Sequence, residues 1–144
     1  MKRLLFILFS FCLSSLQAQN PDGSSGKFFS TVREFNEEGV LISEINYIDG
    51  KPIGEYKYYY EDGTLMEQGV WHLRHQIGTL KRFDEQGNIV QFFKFDNSGN
   101  RLGNQLYFYP TGTIKATKLI FEDNMRATII RYTLDGKQKS YITL

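Results

Sequence analysis

Residues 47–65 read Tyr47-Ile48-Asp49-Gly50-Lys51-Pro52-Ile53-Gly54-Glu55-Tyr56-Lys57-Tyr58-Tyr59-Tyr60-Glu61-Asp62-Gly63-Thr64-Leu65, and their punctuation decides the fold. Asp-Gly occurs twice, and a short aromatic run lies between the two. Glycine accepts the positive φ of a tight corner, while tyrosine suits a pleated, half-buried surface. The stretch therefore reads as turn, strand, turn.

Working outward, Glu61-Asp62-Gly63 has counterparts at Glu37-Glu38-Gly39, Glu85-Gln86-Gly87, Pro110-Thr111-Gly112 and Leu134-Asp135-Gly136. The five glycines are spaced by 24, 24, 25 and 24 residues. An aromatic stands four positions before each, at Phe35, Tyr59, Phe83, Phe108 and Tyr132. Two positions after comes Leu41, Leu65, Ile89 or Ile114, failing only at Gln138, and eight after comes Tyr47, Trp71, Phe95 or Ile120. Positions two, six and eight share one side of a strand because side chains alternate. A fixed period carrying the same slots marks a tandem repeat.

A second, looser turn falls half-way through each unit. It contains Gly50 and Gly54 in the first and Gly99 and Gly103 in the third, with Leu73-Arg74-His75-Gln76-Ile77-Gly78 and Glu122-Asp123-Asn124 in the others. The x-x-Gly corners fit type I turns closed by a residue of positive φ. Turn signals about every dozen residues predict strands joined as an up-and-down antiparallel meander, about ten strands in all. No window after residue 19 keeps apolar residues at helical spacing. The expected fold is all-β: tandem β-hairpins over residues 28–144 in one open sheet, twisted or rolled, following an N-terminal signal helix.

The N-terminus explains the rest of the length. Met1-Lys2-Arg3 precedes an apolar run from Leu4 to Leu13, then a polar tail to Gln19, which is the secretory pattern. Ten apolar residues span about 15 Å as a helix, half of the roughly 30 Å hydrocarbon core, so no transmembrane anchor is expected. Residues 1–19 thus read as a signal peptide and 20–27 as a flexible linker. The one cysteine, Cys12, lies inside the apolar run behind Phe11, without the small residue a lipidated cysteine follows, and it leaves with the leader. The exported remainder has no disulfide available. The expected location is the bacterial periplasm, the cell surface or the medium.

The chain has 17 basic and 16 acidic residues, and two of the basic ones, Lys2 and Arg3, belong to the leader. Near neutrality with no basic cluster gives no field for steering toward nucleic acid. No nucleophile elbow, phosphate-cradling glycine loop or cysteine nucleophile is present, so no enzyme, no catalytic residue and no cofactor are expected. Side-by-side carboxylates such as Glu61-Asp62 sit at turn tips, with nothing to shift a pKa. His72 and His75 are the only histidines, and no third metal ligand stands near them in sequence. No metal is expected either.

The segment quoted at the start resembles the bacterial variant of the MORN repeat: an aromatic, Asp-Gly-Lys-x-x-Gly, a short aromatic strand, then x-Asp-Gly and an aliphatic residue. The resemblance runs from about Thr31 to Leu144 and implies a rolled meander of hairpins that scaffolds or binds a partner. It carries no catalytic residues. Tandem runs of this variant also occur in YwqK-family antitoxins, which makes an antitoxin or immunity-like partner of a toxin one alternative, against which the export signal counts.

The expected activity is non-enzymatic binding of a protein partner. Tyr56, Tyr58 and Tyr60, with Trp71, form the candidate binding surface, because exposed Tyr and Trp supply flat amphipathic area. Sugar or envelope-polymer binding through the same rings is a second alternative. The outermost strands, near Phe28 and Tyr141, end in unpaired backbone and are free to pair with another copy.

Overall fold

A computed structural model describes residues 27–121 and 126–144. The expected leader, most of the linker and the half-turn at 122–124 lie outside them. Ten strands follow one another: β1 (Phe29–Phe35), β2 (Leu41–Ile48), β3 (Lys51–Tyr59), β4 (Leu65–His72), β5 (His75–Phe83), β6 (Ile89–Phe95), β7 (Gly103–Phe108), β8 (Ile114–Ile120), β9 (Ala127–Tyr132) and β10 (Gln138–Thr143). They form one sheet in strict sequence order, every neighbour antiparallel, with β1 and β10 at its edges. The described residues contain no helix.

The five x-x-Gly tips share one construction. The backbone amide of Gly39 donates to the Asn36 carbonyl, and the Asn36 amide donates to the Val40 carbonyl. The same pair of bonds recurs at Tyr60, Asp84, Tyr109 and Thr133. Gly39, Gly63, Gly87, Gly112 and Gly136 have φ between 80° and 85°, which closes a type I turn in the hand the sheet requires. The aromatic and aliphatic markers of the repeat prove to be cross-strand partners: Phe35 faces Leu41, Tyr59 Leu65, Phe83 Ile89 and Phe108 Ile114, with Tyr132 facing Gln138.

Turns on the opposite rim vary. Asp49 and Gly50 make a two-residue corner with φ of 47° and 73°. Leu73 and Arg74 make another, with Leu73 at φ 60°. Asp96 to Asn100, expected to be a looser loop, repeats the tip construction around Gly99 instead. Gly54, Gly78 and Gly103 then sit where the register slips. From Ile45 to Tyr47 the facing strand spends the residues Pro52 to Tyr56, and from Gln68 to Val70 it spends Ile77 to Lys81. The extra residues bend the strand and deepen its twist.

Ser43, Tyr56, Glu67, Gly69, Leu80, Phe93, Gln105 and Ala127 are buried. Register and alternation put all of them on one face. The sheet is a single layer, so the side chains of this more buried side, the inner face, cover one another. On the outer face Arg33, Glu44, Lys57 and Gln68 stand in direct succession across β1 to β4 and form a polar row. Farther on, the same row continues through Phe92 and Leu106.

Candidate functional site

The inner face of β3 to β5 holds the strongest concentration of functional groups. Ser43, Tyr58, Glu67 and Arg82 form one cross-strand rank, and Ile45, Tyr56 and Gly69 form the next. Tyr56 is 1 % exposed. Its ring lies over Gly69, where an added Cβ would stand 2.8 Å from the phenolic oxygen. Tyr58 and Trp71 flank it, with ring centroids at 5.2 Å and 5.6 Å. Those spacings suit tilted aromatic packing.

Polar groups fix this cluster. The Tyr56 hydroxyl donates to Glu67 Oε1 at 2.6 Å and accepts from Gln76 Nε2 at 2.6 Å. Arg82 Nε donates to Glu67 Oε2. Arg82 reaches on to Gln91 Oε1 at 3.2 Å. Both oxygens of the buried carboxylate therefore have partners, which is what its burial demands. Burial first, and the neighbouring Glu67 carboxylate second, hold the Tyr56 phenol well above its ordinary range. Tyr58 is raised for the same two reasons.

The four rings expected to form a binding surface divide three ways. Tyr58 and Trp71 are half-buried on the inner face and present an edge or face to it. Tyr56 lies beneath them and offers none; burial removes it from the contact surface and makes it the support. Tyr60 lies outside the cluster, in the tip turn, and its hydroxyl donates to the Phe83 carbonyl at 2.8 Å. Asn36 and Tyr109 do the same one unit along, reaching the carbonyls of Glu61 and Tyr132. These bonds lash successive tips together, a role the sequence reading missed.

Sequence reasoning also missed Glu67, Gln76 and Arg82. A signal existed for Glu67: it stands four after Gly63, in the parity of Leu65 and Trp71, so an inward carboxylate needing partners was foreseeable. Asp62 corrects another expectation. A backbone hydrogen bond from Thr64 holds its carboxyl below the usual range. Asp96 is lowered by the Asn100 side chain and then by the Asn100 amide.

His72 and His75 face each other across the two-residue corner, ring centroids 5.8 Å apart. His75 Nε2 lies 3.1 Å from the Asn97 carbonyl. Among the described residues no three of His, Cys, Asp and Glu converge as a metal site would require. No helix among them is long and apolar enough to cross a membrane.

Comparison with known families adds one match: the MORN repeat variant, at residues 31–49 and 52–72. These two segments run from within β1 to the end of β4 and take in Tyr56, Tyr58 and Trp71. No curated protein matches the chain.

Proposed function

We propose that this chain is a non-catalytic, exported repeat protein of the bacterial envelope that binds a protein partner on its inner face. MORN repeats are generally interaction modules, which supports the broad reading. The observation that carries the finer one is the seating of Tyr58 and Trp71. Both rings rest on Tyr56, itself fixed by Glu67 and Gln76. Rigid aromatics lose little conformational entropy on contact, so they act as anchors for a partner.

The test is affinity capture from envelope extracts with wild type, Tyr58→Ala, Trp71→Ala and the outer-face control Lys57→Ala. A partner retained by wild type and the control, and lost by the two ring variants, supports the reading. Equal capture by all four, or turnover of a substrate by the purified protein, overturns it. Gln76, directly opposite Trp71, gives a sugar-binding reading its one specific support, since an amide beside a ring is what a hydroxylated ligand would use. Trp71 fluorescence that shifts with envelope polysaccharide and stays unchanged with protein extract would favour that second reading.

A further inference from the structure

The two ends of the sheet are complementary to each other. Phe29 and Tyr141 are 70 % and 68 % exposed, the highest values among the large apolar side chains of the described residues, and they sit on opposite edge strands. Phe28 and Val32 on one edge, and Ile142 and Leu144 on the other, are exposed as well. Charge divides the same way. Residues 27–100 carry eight basic and 12 acidic groups, whereas 101–144 carry seven basic and three acidic. We propose that copies of this chain associate head to tail, β10 of one pairing antiparallel with β1 of the next, so that the meander continues across the junction.

Backbone geometry supplies the donors and acceptors. Phe28 exchanges bonds with Asp49, so Phe28, Ser30 and Val32 turn their amides toward β2, and Phe29, Thr31 and Arg33 turn theirs outward. Leu144 exchanges both bonds with Ala127, which leaves Tyr141 and Thr143 facing outward on β10. An edge so equipped is a template for another strand.

Orientation follows from what each end of the edge carries. Antiparallel β10 against β1 sets Lys137 and Lys139 beside the tip with Glu37 and Glu38, and Leu144 toward the end with Phe28 and Phe29. Pairing β1 with a second β1 would set Phe28 and Phe29 against Glu37 and Glu38. Pairing β10 with a second β10 would set the lysines against the apolar end. The register with Tyr141 opposite Arg33 sets Lys137 opposite Glu37, joins two outward amides in one bonded pair and places both side chains on the outer face. Such a contact is heterologous, and copies repeat along a line unless the rotation closes a ring. It uses the ends of the sheet and stands apart from the inner-face reading.

Sedimentation velocity of the purified protein tests this with Thr31→Pro and Tyr141→Pro, which each remove one outward amide and block one edge. Expected are concentration-dependent oligomers for wild type, monomer for either variant alone, and a heterodimer, no larger, for their mixture. A monomeric wild type at every soluble concentration overturns the proposal, as does a homodimer of Tyr141→Pro, which would mean β1 pairs with β1. Circular dichroism confirms that each variant folds. A charge pair that leaves the backbone intact gives the second arm. Glu37→Lys weakens assembly and adding Lys137→Glu restores it; an unchanged Glu37→Lys would remove the charge matching and with it the orientation.

Discussion

Tyr56 occupies the space that a side chain at Gly69 would need. The two residues are cross-strand partners, and a Cβ on Gly69 would stand 2.8 Å from the Tyr56 hydroxyl oxygen. In the equivalent slot other units carry Ile45 and Phe93, so the missing side chain here is what lets a tyrosine lie down on the sheet.

Gly69→Ala therefore pushes the ring out of its seat or parts it from Glu67. Overpacking of this kind costs about 1–3 kcal/mol. Urea denaturation should show a lower midpoint with unchanged slope, and Trp71 emission should shift because its neighbouring ring moves. A variant as stable as wild type would mean the ring is loosely held.

Tyr56→Phe keeps the ring and removes the hydroxyl, leaving Glu67 Oε1 and the Gln76 amide without that partner. The expected loss is about 1–3 kcal/mol. The same phenol also sets an alkaline limit. Its folded pKa is raised, so the unfolded chain loses its proton first, at about pH 10. The contribution is fully present below that value and is lost as pH rises beyond it. Stability followed by urea should decline above about pH 10 and decline less steeply in Tyr56→Phe. Tyr58, also raised, leaves a residual slope in the variant.

Asp96 behaves in the opposite sense. Its side chain accepts from the amides of Ser98 and Asn100, and its pKa is lowered by the Asn100 contacts. A lowered carboxyl contributes stability above the unfolded value of about 4, and the contribution is lost as pH falls through the folded value. Asp96→Ala should lower the thermal midpoint at neutral pH. The gap from wild type should narrow as the solution is acidified below about pH 4.

Leu73 holds φ 60° at a two-residue corner, a region where a side chain crowds the following carbonyl. That conformation costs about 1–2 kcal/mol for an ordinary residue, and asparagine tolerates it better. Leu73→Asn should raise the urea midpoint. If it falls, the half-buried Leu73 side chain contributes more by packing than its backbone loses by strain.

Much of this fold was legible because it is written locally. The Asp-Gly and x-x-Gly corners state where the chain reverses, and the aromatic and aliphatic markers four before and two after each glycine turn out to face each other across the tip. Asp96 to Asn100 shows the limit: its Gly99 had the tip signature, yet the nearby Gly103 made it look like a longer loop. Only the register slip around Gly103 separates the two roles. The candidate site was half legible. Tyr58 and Trp71 were named by type and parity, but Tyr56 was placed at the surface and Tyr60 among the binding rings.

By itself the sequence determined the period, the places where the chain turns back and which residues alternate, since positive φ at glycine and the two-residue pleat depend on neighbours along the chain. The tertiary structure alone decided which side of the pleat became the inner face, which carboxylate Arg82 meets 15 residues away, and which ring lies beneath the others. Those outcomes depend on how register, bulges and packing bring side chains of several strands together, rather than on any one strand.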